Sequence, residues 1–249
     1  MALARVHGSE AGASFDILAR FESEDTRSHA EVMAPFAHAA LQEAGVRGEE
    51  LDAILTGTGP GPFTGLRAGI VTARALGFAW SVPVYGMMSL TALAERAYQE
   101  RVFAQGGGAG EAEGAELLVA SDARRREVYS ARYRVNTEGY SLVDGPTVSP
   151  ASEILPGEGP SYAYGYGAGL YAETLRELGW DLVEAGEGIH PHAEYLLAAA
   201  ARRGLDALSL DTSALYLRDS DAKIPAAMLA RQQKQAARAT AQTVGQREG

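Results

Sequence analysis

The chain has no cysteine, which excludes disulfides, thiolate metal sites and a thiol nucleophile. Its only imidazole ligands are five histidines: His7, His29, His38, His190 and His192. His29 and His38 stand nine residues apart, and His190 and His192 straddle Pro191. Neither His-x-x-x-His nor His-Glu-x-x-His occurs, so no metal site is expected. No apolar run approaches the ~20 residues of a membrane span, and the first residues lack the charged, apolar and small-residue zones of a secretory signal. A cytoplasmic protein without membrane contact is expected. A serine hydrolase would need a Gly-x-Ser-x-Gly elbow, and none exists. The Gly-x-x-x-x-Gly-Lys-Ser/Thr phosphate loop is missing too, as is the third glycine of Gly-x-Gly-x-x-Gly counted from Gly57 or Gly59.

What is present is a composition able to build a substantial core. The 249 residues are 46% hydrophobic and 22% charged, as in ordinary globular proteins. The net charge of −10 is uneven. Lys223, Arg231, Lys234, Arg238 and Arg247 against Glu248 leave the last 27 residues at +4 and the rest at −14. So acidic a body repels a phosphate backbone, and RNA is expected to be met only indirectly, through a partner. Arg231, Lys234 and Arg238 fall near one helical face, which suits either an RNA contact or a solvated tail.

Hydrophobic patterning gives the order β-β-α-β-α-β-α for residues 1–104. The strands are Ala2–Val6, Phe15–Phe21, Asp52–Thr56 and Val82–Gly86. Ser28 and Glu31 form a capping-box pattern for a helix with Val32, Met33, Phe36, Ala40 and Leu41 on one side, ending at Gly45. Thr64 is expected to cap a helix to Trp80, and Ser89 to open another to about Val102. Residues 105–116, rich in glycine and acid, read as a linker or exposed loop. A second β-rich half is expected over 117–222, with strands 117–121, 127–135, 141–148 and 162–165 and helices near 171–178 and 193–203. The basic tail is 223–249.

Three stretches carry candidate function. In Gly57–Arg67, glycines permit tight backbone while Pro60 and Pro62 fix φ and delete two N–H donors. That describes a stiff strand-to-helix corner better than a phosphate cradle, which needs rows of free N–H groups. Along the following helix Gly65, Gly69, Ala73 and Gly77 recur every four residues, a small-residue stripe that admits close packing. Glycine inside a helix costs about 1 kcal/mol relative to alanine, so something is gained there, either against the chain's own sheet and helix or against another molecule. Finally, Asp122, Arg124 and Arg125, with Arg126, Glu127 and Tyr129, form either a charged turn with local ion pairs or a general base beside an anion-binding cluster.

The run from Gly57 to Leu93, with Gly59, Pro60, Gly61, Phe63, Thr64, Gly65 and Arg67, resembles the signature of the TsaB (YeaZ) family. Ser28–Glu31, Ser121–Tyr129, and Leu215–Arg218 with Asp221–Lys223 match the same family in order, so the resemblance covers most of residues 1–225. It implies two ribonuclease-H-like halves, as in actin, Hsp70 and sugar kinases. It also implies a non-catalytic, dimerising subunit of the tRNA threonylcarbamoyladenosine apparatus, supporting the transferase TsaD alongside TsaE, with a homodimer as the alternative pairing. In that family the first two helices pair, which assigns Val32, Met33, Phe36, Gly65, Gly69, Ala73 and Gly77 to a partner interface and leaves catalytic, cofactor and metal sites empty. One departure is that the family's first, central strand and its Asp-Thr-like turn have no counterpart here. The expectation is a late-starting chain or a rearranged sheet, a hairpin separated from the rest, and no nucleotide site. The rivals are a nucleotide-dependent kinase-like or peptidase-like enzyme of the same superfamily, or a homodimeric binding module.

Overall fold

The structure, a computed structural model, describes residues 1–23, 29–100, 114–184 and 189–218. Met1–Leu217 packs as one compact unit; of a second, Arg218–Gly249, only Arg218 lies among the described residues. The basic tail, Asp221–Lys223, Ser28 of the capping box and most of the glycine-rich linker therefore fall outside the described residues.

β1 (Ala2–His7) and β2 (Ser14–Arg20) form an antiparallel hairpin, with a bulge at Leu3/Ala4 and His7 Nε2 2.8 Å from Asp16 Oδ2. α1 (His29–Ala44) ends at Gly45, whose φ of +65° gives the chain its left-handed exit. β3 (Ile54–Gly57) leads through the glycine-proline loop into α2 (Phe63–Trp80), and β4 (Val84–Met87) returns parallel to β3. Thr64 does not cap α2. Pro62 occupies that place and its carbonyl accepts the Leu66 N–H at 2.9 Å, because a proline with φ fixed near the helical value starts a helix without a donor to satisfy. α3 (Leu90–Tyr98) follows.

The larger sheet has strands β5 (Glu116–Asp122), β6 (Val128–Asn136), β7 (Gly139–Ser149), β8 (Ser161–Tyr164) and β9 (Asp181–Glu184), in the order β7-β6-β5-β8-β9. β5, β6 and β7 are antiparallel neighbours; β5, β8 and β9 run parallel. This is the ribonuclease-H-like arrangement. The single helix expected over 171–178 is two, α4 (Tyr166–Leu170) and α5 (Ala172–Glu177), since Tyr171 leaves helical geometry at φ −120°, ψ 31°. The linker's last two residues, Ala115 and Glu116, are buried. Glu116 is buried, with Arg132 Nη1 at 3.0 Å and the Gly157 N–H at 3.1 Å on its carboxylate, so an acid read as loop is a strand residue with its charge paired.

The first half follows the same plan with one strand fewer. β1-β2 and β3-β4 are two separate pairs, and among the described residues no strand joins them as β5 joins β6 to β8. β1 and β3 each keep one unpaired edge. Helices span the division: α1 packs on β1, β2 and α2, and α2 packs on β3 and β4. α6 (Ala193–Arg203), placed by its sequence position in the second half, packs on β1, β2 and β3. Its Leu196, Ala199 and Ala200 share a core with Met87 and Ala92.

Glu95 fastens α6 to α3. Its carboxylate is wholly buried and takes Arg202 in a two-pronged grip, Nη2 to Oε1 at 2.6 Å and Nε to Oε2 at 2.9 Å. Tyr140 Oη donates to Oε2 at 2.9 Å and Gln99 Nε2 to Oε1 at 2.8 Å. A buried charge needs such saturation, because removal from water costs several kcal/mol (roughly) unless hydrogen bonds replace it. Burial, with the neighbouring Glu95 charge, raises the Tyr140 hydroxyl well above its ordinary pKa.

Candidate partner-binding site

The glycine-proline loop is a corner tied to the start of α3 by its first donors. The Thr58 N–H donates to the Met87 carbonyl at 2.8 Å and the Gly59 N–H to Ser89 Oγ at 2.9 Å, while the Ser89 N–H returns to the Gly59 carbonyl at 2.7 Å. Ser89 thus positions the loop; its side chain makes no helix cap. Gly59 has φ +95°, and a β-carbon there would stand 2.8 Å from Leu66, so only glycine fits. Thr58, Gly59 and Pro60 are buried, and Gly59–Pro60 is cis. Pro60 and Pro62 contribute no N–H groups of their own.

The loop and α2 instead hold the segment 209–217 against the first half. The Gly86 N–H donates to the Ser209 carbonyl at 2.8 Å and the Leu215 N–H to the Thr58 carbonyl at 2.8 Å. Arg74 Nε donates to Thr212 Oγ1 and Arg67 Nε to Tyr216 Oη, both at 2.6 Å. The Arg67 guanidinium also lies 3.6 Å above the Phe63 ring centre. Phe63 and Arg67, from one sequence motif, thereby meet Tyr216 from another, beside the Thr58–Leu215 bond. Thr64 is exposed in the first turn, and Gly61 is half-buried.

The small-residue stripe packs within the chain. Gly69 lies under Met33 of α1, whose Cε would be 3.7 Å from an added β-carbon; at Gly77 that carbon would be 2.3 Å from Val84 Cγ2 and 2.8 Å from the Val82 carbonyl oxygen. Ala73 is buried and Gly65 half-buried. Gly77 thus faces Val84 and the Val82 carbonyl, and Ala73 is buried within the chain. Val32, Met33 and Phe36 are half-buried, and Phe36 stacks on Phe21 with centroids 5.6 Å apart. What α2 turns outward is the opposite side. Phe78 is 89% exposed and Val71 64% exposed, with Thr64, Arg67 and Ala75 on the same side. Sequence reasoning passed over Val71 and Phe78, although their two-turn spacing opposite the glycines was there to be seen.

The second-half motif is an ion-paired turn. Asp122 Oδ1 accepts the Arg124 N–H at 2.7 Å, and Oδ2 lies 3.1 Å from Arg124 Nη1. Arg124, Arg125 and Arg126 are exposed. The histidines are scattered. His192 Nε2 is 3.4 Å from Glu22, His38 is exposed, and His190 stacks on Tyr166 at 4.9 Å, its pKa lowered by burial. Among the described residues no three histidines or carboxylates gather into a metal-holding group, and no helix is long and apolar enough to cross a membrane.

A family model described as TsaD, tRNA N6-adenosine threonylcarbamoyltransferase, matches residues 16–226. The chain belongs to this family. It is similar to Escherichia coli TsaB, a tRNA threonylcarbamoyladenosine biosynthesis protein, at 28% identity over 183 residues, 71% of this chain and 73% of that one. An uncharacterized Mycobacterium tuberculosis protein is 43% identical over 133 residues, 53% of this chain and 54% of the relative. The chain thus spans about half the length of the mycobacterial relatives it matches. YeaZ from Pseudomonas aeruginosa superposes with a TM-score of 0.64 at 30% identity, covering 87% of this chain and 99% of that one. The resemblance to TsaB (YeaZ) proteins drawn from the sequence therefore holds, and with it the ribonuclease-H-like fold.

Proposed function

We propose that this chain takes part in making N6-threonylcarbamoyladenosine in tRNA as a non-catalytic, dimerising subunit that supports a TsaD-type transferase. The observation that carries this reading is the outward face of α2. A helix whose inner face is filled by its own chain still presents Phe78 and Val71 to water. Covering each is worth about 1.5–3 kcal/mol. The partner's equivalent helices supply the cover, or those of a second copy when the transferase is absent. In this arrangement Met33 and Gly69 keep α1 and α2 in register behind the contact, Val32 and Phe36 border it, and Gly65, Ala73 and Gly77 seat α2 on its own domain. TsaE belongs to the same complex, and tRNA is met only indirectly, mainly through those partners, in the cytoplasm. The two ribonuclease-H-like halves, 1–104 and 117–222, then serve as scaffold.

Support for a non-catalytic role comes from the chemistry of the two motifs. The Thr58 and Gly59 donors are committed within the chain, and Asp122 is bound to its own turn, so neither motif brings together a nucleophile and a base. The test is deletion of the gene with nucleoside analysis of tRNA, paired with ATP-turnover assays on the purified chain. Loss of threonylcarbamoyladenosine together with no intrinsic turnover is the expected outcome. Unchanged tRNA in the deletion strain would refute the pathway assignment, and robust turnover would establish the kinase-like alternative.

A further inference from the structure

The turn between β5 and β6 is built against the preference of its own residues. Arg124, Arg125 and Arg126 have φ of 61°, 55° and 63°, a region L-residues avoid because the β-carbon crowds the carbonyl oxygen. Glycine would fill three such positions with least strain, yet arginine stands at each. Closure of the turn uses backbone and Asp122: the Ala123 N–H donates to the Glu127 carbonyl at 3.1 Å, the Glu127 N–H to the Arg124 carbonyl at 3.0 Å, and the Arg124 N–H to Asp122 Oδ1 at 2.7 Å. These bonds need no arginine side chain. A conformational outlier that its own residues disfavour points to what the side chains do outside.

The carboxylates nearest in the turn are Asp122 and Glu127. The Asp122–Arg124 pair spans 3.1 Å between a carboxylate 16% exposed and an arginine side chain 85% exposed, so most of the guanidinium still faces water. The turn stands at the carboxyl end of β5, beside its parallel neighbour β8. There Gly167 of α4 approaches so closely that a β-carbon would lie 2.6 Å from the Ser121 carbonyl carbon. Carboxyl ends of parallel strands are where open α/β sheets meet ligands. All three side chains are exposed rather than sunk in a cleft, which suits an extended polyanion better than an enclosed small molecule. The planar guanidinium fork matches phosphate oxygens in pairs.

We propose that the Arg124–Arg126 turn is a contact for the phosphate backbone of RNA, a local exception in a body whose charge otherwise repels it. The choice of RNA rests on the tRNA substrate in the reading above; the turn itself does not depend on helix pairing. The test titrates full-length protein with labelled tRNA at about 50 and 200 mM salt, comparing the natural chain with the triple variant Arg124→Gly, Arg125→Gly, Arg126→Gly. The expected result is binding at the lower salt that weakens about tenfold or more in the variant, with the logarithmic salt slope reduced by about two to three. The unfolding midpoint should hold or rise, since glycine takes left-handed backbone freely. Asp122→Asn keeps the Oδ1 acceptor and releases the Arg124 side chain, so it should tighten binding. No tRNA binding by the natural chain, equal binding by the triple variant, loss of binding together with a lower midpoint, or displacement of tRNA by stoichiometric nucleotide would each overturn the proposal. Association with the transferase, measured on the same triple variant, should be unchanged, which separates failure here from failure of the helix pairing.

Discussion

Replacing Glu95 by alanine should cost this protein more than any exposed acid could. In the structure that carboxylate accepts two bonds from Arg202, one from Tyr140 and one from Gln99, and no part of it meets water. Removing one member of a buried ion pair costs about 3–5 kcal/mol, most of it from stranding the partner. Arg202 retains 27% side-chain exposure and can partly rehydrate, which places the expected loss near the lower bound, about 3 kcal/mol. For a chain of this size that lowers the thermal midpoint by about 6–12 °C. The double variant Glu95→Leu, Arg202→Met should recover most of the loss, because a packed apolar pair is often as stable as a buried ionic one. Circular dichroism melts of the natural chain, both single variants and the double variant give the coupling directly. A loss under about 1 kcal/mol for Glu95→Ala, within the range of an ordinary exposed pair, would refute the claim that this cluster joins α3 to α6.

Gly77→Leu should destabilise the isolated protein by about 1–3 kcal/mol through overpacking, since its first side-chain atom already meets Val84 and the Val82 carbonyl; an unchanged melt at low concentration would put the stripe on the outside after all. Tyr133 is pushed up to about 12 from 10.0, chiefly by burial, so its neutral form is the one the fold favours. That stability is complete below pH 10 and is lost as pH rises from about 10 toward 12, about 2–3 kcal/mol in total. Urea midpoints that stay flat across that interval would contradict the burial of its hydroxyl.

How much of this was legible beforehand differs from element to element. The helix Ala193–Arg203 and the strand-loop-helix corner at Gly57–Phe63 follow from local rules, because alanine-rich periodicity and proline placement act within a few residues. β9 escaped because four residues of mixed polarity, Asp181–Glu184, carry no period. The packing of α6 on the first half was hidden, since sequence order says nothing about which sheet a helix covers. Glu95 read as one more helical acid; only Arg202, 107 residues away, explains why it is buried. The small-residue stripe was seen, but its direction was not, for a glycine looks the same whether it faces β4 or a partner. Three arginines in a row carry no signal for left-handed backbone, so the strain at Arg124–Arg126 appears only in the structure.

The most direct measurement of the central claim is the affinity of this chain for a TsaD-type transferase, by titration calorimetry, with Val71→Ser and Phe78→Ser made together. Both side chains are exposed in the free protein, so the melt of the variant should stay within about 0.5 kcal/mol of the natural chain. Its affinity should fall about tenfold or more for each ~1.4 kcal/mol of lost burial. Unaltered affinity with an unaltered melt would contradict the assignment of the outward face of α2 as the pairing surface.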